Sequence, residues 1–276
     1  DKTFKQKHTM QTIRINSKGG DVFTLQQLLQ EWGYDIPITG NFGQMTDKAV
    51  RELQSKCRLT ADGIVGRRTW ELLMDKDTRL LIPLRLKEED FVRSAETLNV
   101  EVATVKAVQE VETGGQGGFF GVGKPAILFE GHIFWSQLKK KGKNPEDYLE
   151  GNEDILYPKW TKEHYSGGMK EYDRLEKAMR IDEEAAISSA SWGLFQIMGF
   201  NHKICGCDTV QEFVKRMNEN EGSQLDLFTA FVQSNKLDTF LREKDWAGFA
   251  KRYNGPAYAE NRYDEKLKTA YEKHKA

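Results

Sequence analysis

Glu110 and Glu112 stand two residues apart near the end of one helical run, and the helix must send them to different surroundings. The run spans residues 100–112 and is closed by Thr113-Gly114-Gly115, where glycine stops a helix. At about 3.6 residues per turn, Val105, Val108 and Glu112 share one face. Glu112 therefore lies on the apolar side of the last turn, and burial there holds a carboxyl protonated towards neutral pH. A protonated carboxyl beside a groove can donate to the leaving oxygen of a glycosidic bond. Glu110 points the other way and provides an internal control.

Such a reaction calls for a second carboxylate, as nucleophile or as base for water. Glu130, Glu171, Asp173 and Asp182 are the candidates. Glu130 follows the apolar trio Ile127-Leu128-Phe129, which would draw it inward. An ion pair with Arg252 or Lys124 would explain it equally well. Gln196 and Asn254 are uncharged amides among aromatics and suit the N-acetyl and hydroxyl groups of a sugar. For Asn254, next to Gly255-Pro256, satisfying loop backbone is a strong competitor. Trp192, Phe195, Tyr253 and Tyr258 offer faces for sugar stacking. Trp192 and Phe195 have the spacing of core residues, whereas Tyr253 and Tyr258 flank a turn. Ser191 suits a helix cap.

Other chemistries find little support. The histidines (His8, His132, His164, His202, His274) form no His-Glu-x-x-His motif, which disfavours a zinc peptidase or amidase. His132 and His164 read as structural or surface residues. Cys57, Cys205 and Cys207 are too few for a disulfide framework, and no Ser or Cys occupies a nucleophile motif. Neither a metal nor an organic cofactor is expected. The formal net charge is 41 − 42 = −1, which gives no footprint for nucleic acid. The basic run 139–143 reads as a solvated loop. No apolar run approaches a membrane span, and a monomer is expected. The chain begins at Asp1, so removal of a preceding segment such as a secretion signal is one expectation.

The elements that must hold these residues are helical, and the fold class reads as mostly α. Gly40-Asn-Phe-Gly43-Gln-Met-Thr46 recurs as Gly63-Ile-Val-Gly66-Arg-Arg-Thr69, and each copy leads into helical text. The glycines suit tight turns and the threonines suit N-caps. Val22, Leu25, Leu28, Leu29 and Trp32 mark a preceding helix stopped by Gly33. Residues 1–11 read as a flexible tail, 12–76 as a three-helix module, 77–87 as a linker and 88–276 as a larger helical domain. In that domain Phe91, Ala95 and Leu98 share a face, and Thr209 with Glu212 forms a capping box. Asp245 caps Trp246–Tyr253, and a short hairpin or extended loop is expected around Phe119–Phe129.

The doubled turn-plus-helix, with Asp62-Gly63-Ile64-Val65-Gly66, Thr69 and Trp70, resembles the peptidoglycan-binding domain of bacterial and phage wall hydrolases. Glu112-Thr113-Gly114, Ser191-Trp192-Gly193-Leu194-Phe195-Gln196 and Tyr253-Asn254-Gly255 resemble three motifs of the lysozyme-like superfamily. The longer strings Lys124–His132, Ala190–Gly199 and Tyr253–Pro256 resemble the phage-endolysin N-acetylmuramidases that carry such an N-terminal domain. That resemblance implies a wall-binding module joined to a lysozyme-like domain, with Glu112 as catalytic acid and Glu130 as a possible second carboxylate. It implies Thr113, Trp192, Gln196, Tyr253, Asn254 and Tyr258 at the substrate. It further implies peptidoglycan glycan strands as partner, cleavage of MurNAc-β-1,4-GlcNAc, and action on the bacterial wall during lysis. Two alternatives stay open: a lytic transglycosylase leaving 1,6-anhydro ends, and a non-catalytic wall-binding protein.

Overall fold

The computed structural model describes residues 10–276 and divides into two compact units between Pro83 and Leu84. The expected tail lies largely outside the described residues. Its last residue, Gln11, is held: its N–H donates to Asp21 at 3.0 Å, and its carbonyl accepts the Trp70 indole N–H at 2.9 Å.

The first unit contains α1 (Gly20–Glu31), α2 (Gln44–Lys56), α3 (Arg67–Met74) and α4 (Lys76–Leu81). Val22, Leu25, Leu29, Val50, Leu53 and Trp70 close its core. The repeated turns join α1 to α2 and α2 to α3. The threonines are not N-caps: Gly43 and Gly66 hold those positions, and Thr46 and Thr69 lie inside the first turns, buried. Their hydroxyls instead accept from two buried glutamines. Gln26 Nε2 donates to Thr46 Oγ1 (3.1 Å) and Asn41 O (3.0 Å), while its Oε1 accepts from Gly40 N (2.9 Å). Gln54 Nε2 donates to Thr69 Oγ1 (3.3 Å) and Ile64 O (3.0 Å), while its Oε1 accepts from Gly63 N (2.9 Å). Each amide thus satisfies turn backbone that the helices cannot reach. Gly40 and Gly63 adopt φ of +70° and +71°, which only glycine enters freely.

The stretch expected as a linker is helical over most of its first half. Asp75 accepts from the N–H groups of Asp77 and Thr78, and this cap starts α4.

The second unit begins with α5 (Glu88–Leu98) and α6 (Val102–Thr113). The hairpin of β1 (Phe119–Gly121) and β2 (Lys124–Pro125) follows, then β3 (Ile127–Phe129) and α7 (Gly131–Lys140). Next come α8 (Glu171–Met179), α9 (Glu183–Ser188), β4 (Ala190–Trp192) and β5 (Ile197–Met198). The unit ends with α10 (Val210–Met217), α11 (Glu221–Ser234), α12 (Asp238–Arg242), α13 (Trp246–Tyr253) and α14 (Tyr263–Lys275). The domain is mostly α, but not purely helical as expected. Strands β3, β4 and β5 form an antiparallel sheet in that order, pairing Ile127 with Trp192 and Phe129 with Ala190. Those strands are too short to show a period of two, and β4 is buried at every position, so alternation never appears.

Helix α6 packs against α14 and α5, and α11 packs against α5. Phe129, Phe134, Phe213 and Phe249 are fully buried in the core between them. The capping box of α10 is shifted by one residue. Thr209 Oγ1 accepts from Glu212 N (3.1 Å), but Glu212 returns its bond to Asp208 N (2.8 Å). Asp245 caps α13 through Gly248 N at 2.8 Å.

Candidate active site

Helix α6 ends at Gly114, in the left-handed conformation (φ 56°, ψ 23°), and presents Glu110 and Glu112 to different neighbours. Glu110 is neutralised: Lys273 Nζ lies 3.0 Å and His274 Nε2 2.7 Å from its Oε2, both contributed by α14. Its pKa is lowered by those partners despite the opposing effect of burial. Glu112 has no ion pair among the described residues, and its neighbour is an amide. Asn254 Nδ2 lies 3.2 Å and 3.5 Å from the two carboxyl oxygens of Glu112. Burial pushes the Glu112 carboxyl up to about 7, and the Asn254 hydrogen bond opposes that rise without cancelling it.

Asn254 is positioned by the end of α13, where its N–H donates to Ala250 O at 2.8 Å. Tyr253 comes from the same turn. Its phenol is pushed well up, first by burial and then by the Glu112 charge, so the two groups interact. The Tyr253 ring lies parallel to Phe249 at 5.6 Å and edge-on to Phe228 and Phe231. That packing sets Phe249 against one face of the ring and ties Tyr253 to the aromatic core. Thr113 is buried, and its hydroxyl accepts from Gln109 Nε2 (3.2 Å) and Gly115 N (3.3 Å), which ties off the helix end.

The segment 190–196 is placed by the small sheet. Trp192 is 3% exposed, with its indole N–H on Ile187 O at 3.1 Å, and Phe195 stacks on Phe228 at 4.0 Å. Both are core residues rather than stacking platforms, because the sheet lies inside the domain. Ser191 sits in β4 and donates to Gln196 Oε1 (2.9 Å), so it caps no helix. Gln196 Nε2 donates to Gly193 O (2.8 Å) and Ala126 O (3.1 Å), so its amide fastens the turn between β4 and β5. Gly193 in that turn has φ +72°, and a Cβ there would lie 2.7 Å from Met217 Sδ. Gln224, fully buried on α11, holds the same turn by accepting from Leu194 N (2.7 Å) and reaches Gly118 O (3.2 Å). Neither Gln224 nor its neighbour Glu221, which accepts from Gly118 N (2.8 Å), was singled out in the sequence. Their periodicity is that of any amphipathic helix. Tyr258 is partly buried against the core, and no hydrogen bond joins it to Glu112 among the described residues.

Glu130 follows β3 and precedes α7. Its side chain contacts neither Arg252 nor Lys124. The Tyr165 hydroxyl lies 2.8 Å from both carboxyl oxygens, and His132 Nδ1 lies 3.3 Å from Oε2 without hydrogen-bond alignment. The Tyr165 phenol is pushed up to about 12, by burial first and then by Glu130. No hydrogen bond joins Glu130 to Glu112 among the described residues. The other carboxylates have structural employment. Glu171 is fully buried, pairs with Arg174 at 2.9 Å, and accepts from Phe129 N, Ser166 N and Gly167 N. Asp182 caps α9 and pairs with Lys141 and Lys143 at 2.8 Å, and despite burial those bonds lower its pKa to about 2. Asp173 is exposed on α8.

Among the described residues, no group of three His, Cys, Asp or Glu side chains is arranged to hold a metal ion, and no helix is long and apolar enough to cross a membrane. Cys205 and Cys207 are buried and free, and burial pushes the Cys205 thiol up to about 12.

Comparison with known proteins follows the same division of the chain. Residues 18–73 match the family described as putative peptidoglycan binding domain, and residues 101–275 match N-acetylmuramidase. The crystal structure of a Burkholderia AP3 phage endolysin is similar at 39% identity and TM-score 0.68, covering 96% of this chain and 99% of that one. An N-acetylmuramoyl-L-alanine amidase, CwlM of Mycobacterium tuberculosis, is 39% identical over 80 residues, which is 28% of this chain and 20% of that protein. The chain thus spans about a fifth of that curated relative. With the muramidase match alone extending over more than half its residues, the chain belongs to the N-acetylmuramidase family, and it carries a peptidoglycan-binding domain at its N-terminal side.

Proposed function

We propose that this protein cuts the glycan strand of peptidoglycan at MurNAc-β-1,4-GlcNAc, with Glu112 as general acid and the N-terminal unit as anchor on the wall. The observation that carries the reading is the Glu112 carboxyl, pushed up to about 7 by burial and faced by an amide rather than a cation. At neutral pH such a group holds its proton about half the time, so it can give one up and recover it within each cycle.

Protonation of the bridging oxygen lets the C–O bond break towards an oxocarbenium-like centre, leaving Glu112 ionised. Asn254 Nδ2 then donates to the new carboxylate. Turning the Asn254 amide end over end exchanges donor for acceptor, so the same residue suits the protonated acid as well. Glu130 is the carboxylate we assign to the developing positive charge or to the attacking water, with Tyr165 setting its orientation. Tyr253 lies near enough for its phenol to feel the Glu112 charge, and Thr113 ties off the helix end that carries the acid. The anchor keeps the chain on a polymer offering many equivalent bonds, which raises their effective concentration at the acid.

The test is the digest of purified sacculi, read by mass spectrometry of the released muropeptides. Hydrolysis leaves reducing MurNAc ends, and Glu112→Gln abolishes them. Products ending in 1,6-anhydro-MurNAc would replace the hydrolase reading with transglycosylation, and undiminished clearing by Glu112→Gln would remove the acid.

A further inference from the structure

A groove of about 560 Å³ opens at the end of α6 on the side away from Glu112, and the chemistry above makes no use of it. Its walls come from α6, through Glu110, Val111 and Gly114, and from α14 with its leading residue Arg262. The charges along it are unevenly matched. Glu265 is taken by Arg262, and Glu110 by Lys273 and His274. Lys266, which also lines the groove, meets no carboxylate among the described residues. Its ammonium lies only over the Tyr263 ring, 5.4 Å from the centroid. The groove therefore offers one uncompensated cation beside neutralised pairs, above an apolar strip of Val111 and Ala270.

The lining of the groove reaches Gly114, two residues beyond Glu112 at the end of the same helix. Gly114 and Gly115 have positive φ (56° and 80°), and nothing lies within 4 Å of where a Cβ would stand, so no side chain crowds the backbone there.

We infer that this groove receives the peptide branch of the substrate while the sugar backbone lies at Glu112. The inference rests on the proposed reading of Glu112. The sugar backbone is uncharged once its lactyl carboxyl is amidated, so an unpaired ammonium does nothing for it. The branch is a short peptide of alternating aliphatic side chains and free carboxylates, and it leaves the sugar next to the scissile bond. A carboxylate on Lys266 and aliphatic carbons on Val111 and Ala270 match that chemistry. Peptide-bearing strands would bind more tightly than bare glycan, and the difference would reside in a site remote from the reacting bond.

Full-length protein bearing Glu112→Gln, which binds without cutting, is titrated calorimetrically with disaccharide-tetrapeptide and with the same disaccharide whose lactyl group ends in a simple amide instead of the peptide. The ratio of the two affinities is the readout. Adding Lys266→Glu should lower that ratio about tenfold, since it replaces an attraction by a repulsion. Thr269→Trp, which fills the groove from an exposed position on α14, should lower it similarly, with thermal melts confirming that both variants fold. An unchanged ratio in both folded variants overturns the inference. A phosphodiester wall polymer that displaces the disaccharide-tetrapeptide more effectively than free tetrapeptide does also overturns it, in favour of a polyanion site. Failure of the catalytic reading would show separately, as absence of new reducing ends with the wild-type chain.

Discussion

Replacing Glu112 by glutamine should stabilise the protein increasingly as pH rises from 4.5, with the full effect above about pH 7. The folded chain holds the Glu112 proton up to about pH 7, whereas an unfolded chain releases it near 4.5. Below pH 4.5 both states are protonated, so the carboxyl and the amide bury equally well. As pH rises from 4.5 to about 7, the unfolded state gains an ionised carboxylate that the folded state resists, and wild-type stability falls. Above pH 7 the deficit is complete. The displacement from 4.5 to about 7 corresponds to at most about 3.5 kcal/mol at about 1.4 kcal/mol per tenfold, an upper bound because the side chain keeps part of its hydration. At about 2–4 °C per kcal/mol for a chain of this size, Glu112→Gln should melt at most about 14 °C higher than wild type at pH 8.5. At pH 4 the two should melt together. Scanning calorimetry of the catalytic unit's transition across that range is the assay, with lytic activity lost throughout. Equal differences at both pH values, or a variant less stable at pH 8.5, would refute the argument that Glu112 is largely buried and without an ion pair.

Two further outcomes follow from groups that hold others in place. Tyr165→Phe removes the donor to both oxygens of Glu130; if Glu130 takes part in the reaction, kcat on sacculi should fall about tenfold while the melting temperature moves by no more than about 3 °C. Gln54→Leu removes the buried amide beneath the second turn of the wall-binding unit, taking the acceptor from Gly63 N and one bond each from Ile64 O and Thr69; it should cost about 2–4 kcal/mol in urea unfolding of that unit and weaken co-sedimentation with sacculi, with turnover of short soluble fragments retained.

Much of this arrangement is legible in the chain. The separation of Glu112 from Glu110 follows from helical spacing, and the sides they take agree with it. The repeated Gly-x-x-Gly-x-x-Thr strings lead to repeated turns, and Asp245 caps the helix assigned to it. The reading goes astray where a residue's role depends on partners far along the chain. Thr46 and Thr69 look like caps because the sequence does not announce Gln26 and Gln54, 20 and 15 residues away. Trp192 and Phe195 have core spacing and do pack in the core, but strands of two or three residues leave no pattern to reveal the buried sheet around them. Glu130 meets Tyr165, 35 residues distant beyond α7 and the irregular stretch that follows it, and no local pattern links the two. Asp75 needs only its next three residues, but its capping turn hides in a run of charges that reads as spacer.

The paired glutamines carry an implication for how such anchors diversify. Each uses its amide on turn backbone and on the threonine of the following helix, and adds one turn side chain, Thr39 for Gln26 and Asp62 for Gln54, so the path of each turn is held from beneath. The side chains that cover the two turns differ between the copies. Phe23 lies over Gly40 in the first copy, while Arg51 and Asp47 lie over Gly63 in the second, two unlike surfaces on one underframe. An engineer seeking to redirect the protein to a different wall would leave the two amides alone and randomise the roof.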